Sequence, residues 1–265
     1  MESGGDNVKA PGAGLRIGAM AQRFGGALLD LLYPPTCLDC GAPVASADAL
    51  CAKCFSKLRP ITAPLCPRLG IPFEVWLGPD ALSAEAIADP PPFDRSRSAV
   101  LYNEVARTVV SRLKYGDRPE LARFCARLMA GAGAEFWVEQ PVLVPVPLHR
   151  GRQFTRRYNQ STELARALGK LTGLRVESAL VARVKPTRRQ VGLSRDARQR
   201  NVAAAFVARP DSIARLAGKG VVLVDDVITT GSTVKAVTRA LHKAGVDKID
   251  VMSFARVVIG VETPI

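Results

Sequence analysis

The chain is predicted to form an α/β fold, a parallel sheet with helices on both faces, preceded by a small metal-binding module. Three observations carry this expectation. Apolar runs of strand length recur between stretches of helical period, two carboxylates end the most apolar run, and two Cys-x-x-Cys pairs lie close together near the start. Apolar runs without polar alternation mark strands buried on both faces, as in a parallel sheet. In order, Ser98–Tyr102 reads as a short strand followed by helices, one of them carrying Leu121, Phe124, Cys125, Leu128 and Met129 in helical register. Val142–Val146 reads as a buried strand, and residues 159–171 as a helix with Leu164, Leu168 and Leu171 on one face. Val221–Val224 is the next strand. After it, Val234, Val237 and Leu241 share a helix face that Gly245 stops. A last strand lies near Ile249–Val258. Ligands of such folds bind beyond the carboxyl ends of the strands.

The segment VVLVDDVITTGSTV, Val221 to Val234, is the most informative. Its strand ends in Asp225-Asp226, followed by the loop Thr229-Thr230-Gly231-Ser232-Thr233 and a helix start. A helix N-terminus offers unsatisfied N–H groups and the positive end of a dipole, so it accepts a phosphate dianion. The four hydroxyls of the loop add donors, and Gly231 lets the backbone come close. Ionised Asp225 and Asp226 only accept, which suits vicinal ribose hydroxyls or a hydrated Mg²⁺. Together these residues describe a sugar-phosphate site. Carboxylates that merely cap a helix are the competing reading, but adjacent buried acids are expensive without partners. A Walker loop is excluded by the missing Gly-Lys-Ser/Thr element. Over its whole length the segment resembles the phosphoribosyl-pyrophosphate (PRPP) motif of type I phosphoribosyltransferases.

Length and charge bound the rest. With 265 residues, 48% of them hydrophobic, the chain can bury a core of one full domain beside a smaller module. Residues 1–14 read as a disordered tail, and 15–35 as a short amphipathic helix with Phe24, Leu28 and Leu32 on one stripe. No run is apolar enough to span a bilayer, and the expected location is cytoplasmic. Net charge is +13, concentrated between Arg150 and Arg200, where fourteen Lys/Arg stand against three acids. Such a stretch attracts polyanions. Its only aromatics are Phe154 and Tyr158, too few to announce a base-stacking platform.

Cys37, Cys40, Cys51 and Cys54 form two Cys-x-x-Cys pairs ten residues apart. Four thiolates at this spacing suit one tetrahedral, structural Zn²⁺; disulfide or redox pairs are disfavoured in a reducing compartment. Cys125 reads as a core thiol, and His149 and His242 are assigned to no metal.

The combination resembles the ComF family of double zinc ribbon, phosphoribosyltransferase-like proteins. Leu31–Pro35 precedes the first cysteine pair as in the family's pattern, and Leu113-Lys114-Tyr115-Gly116 looks like its lysine-containing turn. Pro145–Leu148 with Arg150, Arg152, Arg157, Asn159 and Gln160 is similar to another of its blocks, as is the spacing of Gln190, Leu193, Arg198, Asn201 and Phe206. One departure stands out: the family's second ribbon begins with a cysteine pair, and here Leu69 occupies the second position after Cys66. The expected organisation is therefore a ribbon over 36–70 whose second half is degenerate, a Pro-rich linker over 71–96, and a phosphoribosyltransferase-like domain over 97–260, with one zinc per chain.

The resemblance implies PRPP binding with Mg²⁺: Asp225 and Asp226 on the ribose and Thr229 to Thr233 on the 5-phosphate. Lys114, Arg150, Arg152, Arg188 and Arg189 are candidates for pyrophosphate binding or charge screening. It further implies either phosphoribosyl transfer to an unknown acceptor, or a non-catalytic role in handling single-stranded DNA during uptake, with a helicase as a partner. A glutamine-dependent amidophosphoribosyltransferase is disfavoured, because no segment resembles its amidohydrolase domain. Oligomeric state is not readable.

Overall fold

The computed structural model describes residues 34–115, 119–148, 159–184 and 205–258. The chain divides into two compact units, 1–51 and 52–265. The expected tail and most of the expected first helix lie outside the described residues.

The described residues of the first unit form a knuckle. Thr36 and Pro43 form an antiparallel bridge. Cys37 N–H donates to Ala42 C=O at 2.7 Å, and Leu38 N–H to Ala49 C=O at 3.1 Å.

The second unit begins with two short helices, α1 (Ala52–Phe55) and α2 (Ala84–Ala88). Ser83 caps α2 by accepting from Ala86 N–H. Where the sequence suggests a linker over 71–96, the chain instead contains this capped helix, and a bridge between Leu65 and Pro72 closes a turn just before it. The proline-rich composition masked a fold held by backbone hydrogen bonds.

The sheet follows. Its strands are β1 (Ser96–Leu101), β2 (Val142–Pro145), β5 (Val221–Ile228) and β6 (Ile249–Arg256), in the order β1-β6-β5-β2, all parallel. Both edges are extended by single bridges: Pro60 runs antiparallel to Val100, and Val176 parallel to Leu143. Every residue of β2 and β6 is buried; β2 is apolar throughout, as burial on both faces requires, whereas β6 carries Asp250, Ser253 and Arg256 among its apolar residues. A separate antiparallel pair, β3 (Val181–Arg183) with β4 (Phe206–Ala208), flanks the segment 185–204, which is not described.

Helices α3 (Glu104–Tyr115), α4 (Pro119–Ala132) and α5 (Ala134–Trp137) connect β1 to β2, and α6 (Gln160–Thr172) follows β2. Beyond β4, α7 (Pro210–Ala214) leads to β5, and α8 (Ser232–Lys243) joins β5 to β6. On one face Val234, Val237 and Leu241 of α8 pack with Val221, Leu223, Ile249 and Val251. On the other, Phe124 meets Phe254 edge to face with ring centroids 6.4 Å apart. Leu164 and Leu168 are fully buried along α6, but Leu171 is 52% exposed. It lies in the last turn, where the helix has run past its buried contacts. Gly245 ends the α8 turn at φ +87°, as the helix stop requires. Among the described residues no helix is long and apolar enough to cross a membrane.

Candidate functional site

Strand β5 runs four residues past its apolar half, so both aspartates sit within the strand rather than after it, and Asp225 pairs in register with Ser253. Alternation then sends neighbouring side chains to opposite faces. Asp226 is buried and Asp225 half-buried.

Two helices converge on the pair. From the end of α3, Lys114 Nζ lies 3.0 Å from Asp226 Oδ2. From the first turn of α6, Gln160 Nε2 donates to the same oxygen at 3.3 Å, and Ser161 Oγ donates to Asp225 Oδ1 at 3.1 Å. Asn159 fixes that helix start: its Oδ1 accepts from Ser161 N–H, and its Nδ2 donates to Val146 C=O at the end of β2. Burial, and then the Asp226 charge, push the Asp225 carboxyl up to about 7, against hydrogen bonds from Asp226 N–H and Ser161. Two acids at this separation cannot both ionise freely when buried, and one proton is held near neutrality.

Beyond the pair, Gly231 turns the chain with φ +70°, the left-handed conformation that glycine adopts without strain. Thr230 Oγ1 and Ser232 Oγ lie 2.8 Å apart at the start of α8. A cleft of about 50 Å³ is bounded by Asp225 and the loop from Val227 through Thr229, Gly231 and Thr233 to Val234. This arrangement offers N–H and hydroxyl donors on one side and carboxylate acceptors on the other. Such a pairing suits an anionic group attached to a polyhydroxylated one.

Asp225, Asp226, Lys114 and the Thr229–Thr233 loop are thus brought together. Arg150, Arg152, Arg188 and Arg189 lie outside the described residues. Lys114 faces Asp226 rather than the loop. Ser161 was missed by sequence reasoning, and Gln160 was noticed only as part of a block. The Asn-Gln-Ser run was the available signal, but nothing in the spacing told that it starts the helix beneath the aspartates.

The four predicted ligand cysteines also converge: their Sγ atoms all lie within 4.8 Å of one another. A tetrahedral zinc with bonds of about 2.3 Å needs sulfurs about 3.8 Å apart, and Cys40 and Cys51 are separated by 3.7 Å. Cys37 Sγ accepts from Cys51 N–H at 3.2 Å and from Asp39 N–H at 3.5 Å. Burial pushes this thiol up, but those bonds, with others from Cys40, outweigh it and bring it down to about 6. Sulfurs that accept backbone N–H bonds are held as thiolates, the form a metal takes. The donor set fits a structural zinc. His242 bonds instead to the carbonyls of Val246 and Pro92 and serves the fold.

Comparison with known proteins agrees with this geometry. Residues 28–87 match the double zinc ribbon domain, and residues 111–262 match the phosphoribosyl transferase domain. The chain is 31% identical to DNA utilization protein YhgH of Salmonella typhimurium, over 85% of its own length and 99% of that protein. The chain belongs to the ComF family. It is also 30% identical to competence protein F of Haemophilus influenzae, over 83% of its length and 96% of that protein. Among solved structures it is similar to the allosteric regulatory enzyme of purine biosynthesis, at 23% identity and a TM-score of 0.36, over 54% of this chain and 29% of that one. As a ComF protein the chain carries its phosphoribosyltransferase domain on the parallel sheet described above, with the zinc ribbon region ahead of it.

Proposed function

We propose that this ComF protein binds PRPP or a closely related ribose 5-phosphate together with Mg²⁺, and that it uses this site in the utilization of incoming single-stranded DNA in the cytoplasm. One observation carries the ligand: the donor-rich loop Thr229–Thr233 opens α8 directly beside a pair of carboxylates at the end of β5. The loop and helix start would hold the 5-phosphate. Asp225 and Asp226 would take the ribose hydroxyls, or the hydrated magnesium that accompanies the ligand, with Gln160 and Ser161 keeping them oriented. Lys114 would stay on Asp226, or move to the ligand when the carboxylate is engaged. The DNA role is supported by the names of the relatives, DNA utilization and competence proteins, which match nearly end to end. The zinc, one per chain, would hold the first knuckle and leave no open coordination position for catalysis.

Calorimetric titration with PRPP and Mg²⁺ tests the ligand. The wild type should bind, and Asp225→Asn/Asp226→Asn should lose at least tenfold in affinity; equal affinities, or no binding by the wild type, would sink the assignment.

Phosphoribosyl transfer to an acceptor is the second reading, favoured by the acid pair lying alongside the phosphate loop. Release of pyrophosphate from PRPP on adding a candidate acceptor, absent with the double variant, would bring it forward.

A further inference from the structure

The described residues that bound the phosphosugar cleft bring hydroxyls, N–H donors and a carboxylate, but no cation. Lys114, drawn to the acid pair, is taken up by Asp226. A phosphate dianion held by the loop would therefore find no countercharge in the cleft itself.

Lys235 stands beside the same loop. Its N–H closes the first turn of α8 by donating to Gly231 C=O at 2.9 Å. Its side chain is 8% exposed, although a cation there adds to the positive end of the helix dipole and loses hydration on burial. Long helical side chains lean back toward the helix N-terminus, and in α8 that direction leads to the loop. Lys235 Cε lies 3.7 Å from the point that a β-carbon on Gly231 would occupy, so its stem packs along the left-handed turn that opens the helix. A buried cation at this end of a helix is relieved most by an anion bound there.

A segment far away in the sequence holds the ammonium. Lys235 Nζ donates to Asp89 Oδ2 at 2.8 Å. Asp89 ends α2, where its N–H donates to Glu85 C=O at 3.1 Å. From there the chain follows α8 to its far end: Pro92 C=O lies 2.9 Å from His242 Nε2 in the last turn. Asp94 and Ile249 then exchange two bonds of 2.8 Å at the start of β6. Residues 89–94 thus form a strap fastened at both ends of α8, and Asp89 is the fastening at the phosphate end. The Asp89 side chain is 37% exposed, so water can hydrate it when the lysine turns to another anion.

On the phosphosugar reading of the cleft, on which this step rests, we propose that Lys235 is a phosphate-positioning residue. Its ammonium, aimed by Asp89, supplies the countercharge that the cleft lacks and steadies the Gly231 turn against the bound phosphate. The strap thereby joins the segment ahead of the sheet to the ligand site, and its hold on Lys235 sets how tightly the phosphate is bound.

Calorimetry on the full chain, with ribose 5-phosphate and with PRPP and Mg²⁺, tests this. Lys235→Met should fold, because the apolar stem is replaced and Asp89 is open to water, and should bind both ligands about tenfold more weakly. Asp89→Asn keeps the ammonium and removes only its aim, so its loss should be smaller; a larger loss than that of Lys235→Met would overturn the roles given to the pair. The pH profile separates charge from packing. A phosphate monoester gives up its second proton near pH 6, so the ratio of wild-type to Lys235→Met affinity for ribose 5-phosphate should shrink about threefold between pH 7.5 and pH 5. A loss that stays constant with pH would make the lysine a purely structural residue and overturn the proposal, as would equal binding by Lys235→Met and the wild type. Binding of neither ligand by the wild type would instead remove the phosphosugar reading itself, and the role of Lys235 with it.

Discussion

Asp225 and Asp226 hold adjacent charges at the end of a buried strand, and the fold accommodates them unequally. Asp226 receives Lys114, Gln160 and the Val227 N–H, whereas Asp225 has Ser161 and the Asp226 N–H. Burial and the Asp226 charge raise the Asp225 carboxyl to about 7. A carboxyl raised in the folded chain binds its proton more tightly there than in the unfolded chain. Folding stability therefore falls as pH climbs from the ordinary carboxylate range through about 7, the reverse of the usual salt-bridged aspartate. Asp225→Asn should relieve this. It is expected to stabilise the protein by about 1–2 kcal/mol at pH 8, a figure discounted for solvent access to a half-buried group. The gain should vanish near pH 4, and thermal melts at the two pH values check it; an equal gain at both would mean that ionisation is not the cause. Because the same substitution should weaken PRPP binding, a more stable but less competent variant would show the site retained for its ligand at a cost in stability.

The elements divide by how much of each one a sequence can reveal. Strand β2 and the first half of β5 were legible because burial on both faces leaves continuous apolar runs, and the Val234/Val237/Leu241 face of α8 because its period is 3.6. The β3–β4 pair was not, because strands of three residues have no measurable period and their partners lie far apart in sequence. Likewise, β5 continues through two aspartates that propensity assigns to a loop, since pairing with β6 overrides it. The Cys37–Cys54 ligand set was legible from spacing alone, whereas Gln160 and Ser161 needed the sheet to bring α6 under the strand end. Helix α6 turns this difference into a measurement. Its periodicity treats Leu164, Leu168 and Leu171 alike, but Leu168 is fully buried and Leu171 is 52% exposed. Leu168→Ala should cost about 2–5 kcal/mol and Leu171→Ala less than about 0.5 kcal/mol in urea unfolding. Comparable losses would place Leu171 in a packed environment that this fold does not provide.

At the scale of the whole molecule, charge and fold address different ligands. The net +13 is concentrated between Arg150 and Arg200, and most of those basic residues belong to the segments 149–158 and 185–204. The phosphosugar cleft recognises its ligand through helix-start donors and fixed acceptors, whose strength depends on geometry and on the metal accompanying the ligand. A polyanion held by many arginines depends on counterion release instead, and for single strands the logarithm of affinity falls with the logarithm of salt at about 0.7 per phosphate engaged. If about five phosphates are engaged, a fourfold rise in salt should weaken single-stranded DNA binding by about two orders of magnitude. PRPP binding measured across the same range should change far less and should respond to Mg²⁺. Anisotropy titrations with an oligonucleotide, beside the calorimetry with PRPP, separate the two. A shallow salt slope for DNA would remove the arginine-rich stretch as its binding surface. Displacement of DNA by PRPP and Mg²⁺ would show that the two ligands compete for a shared surface, so that a ribose 5-phosphate could control how the protein holds DNA.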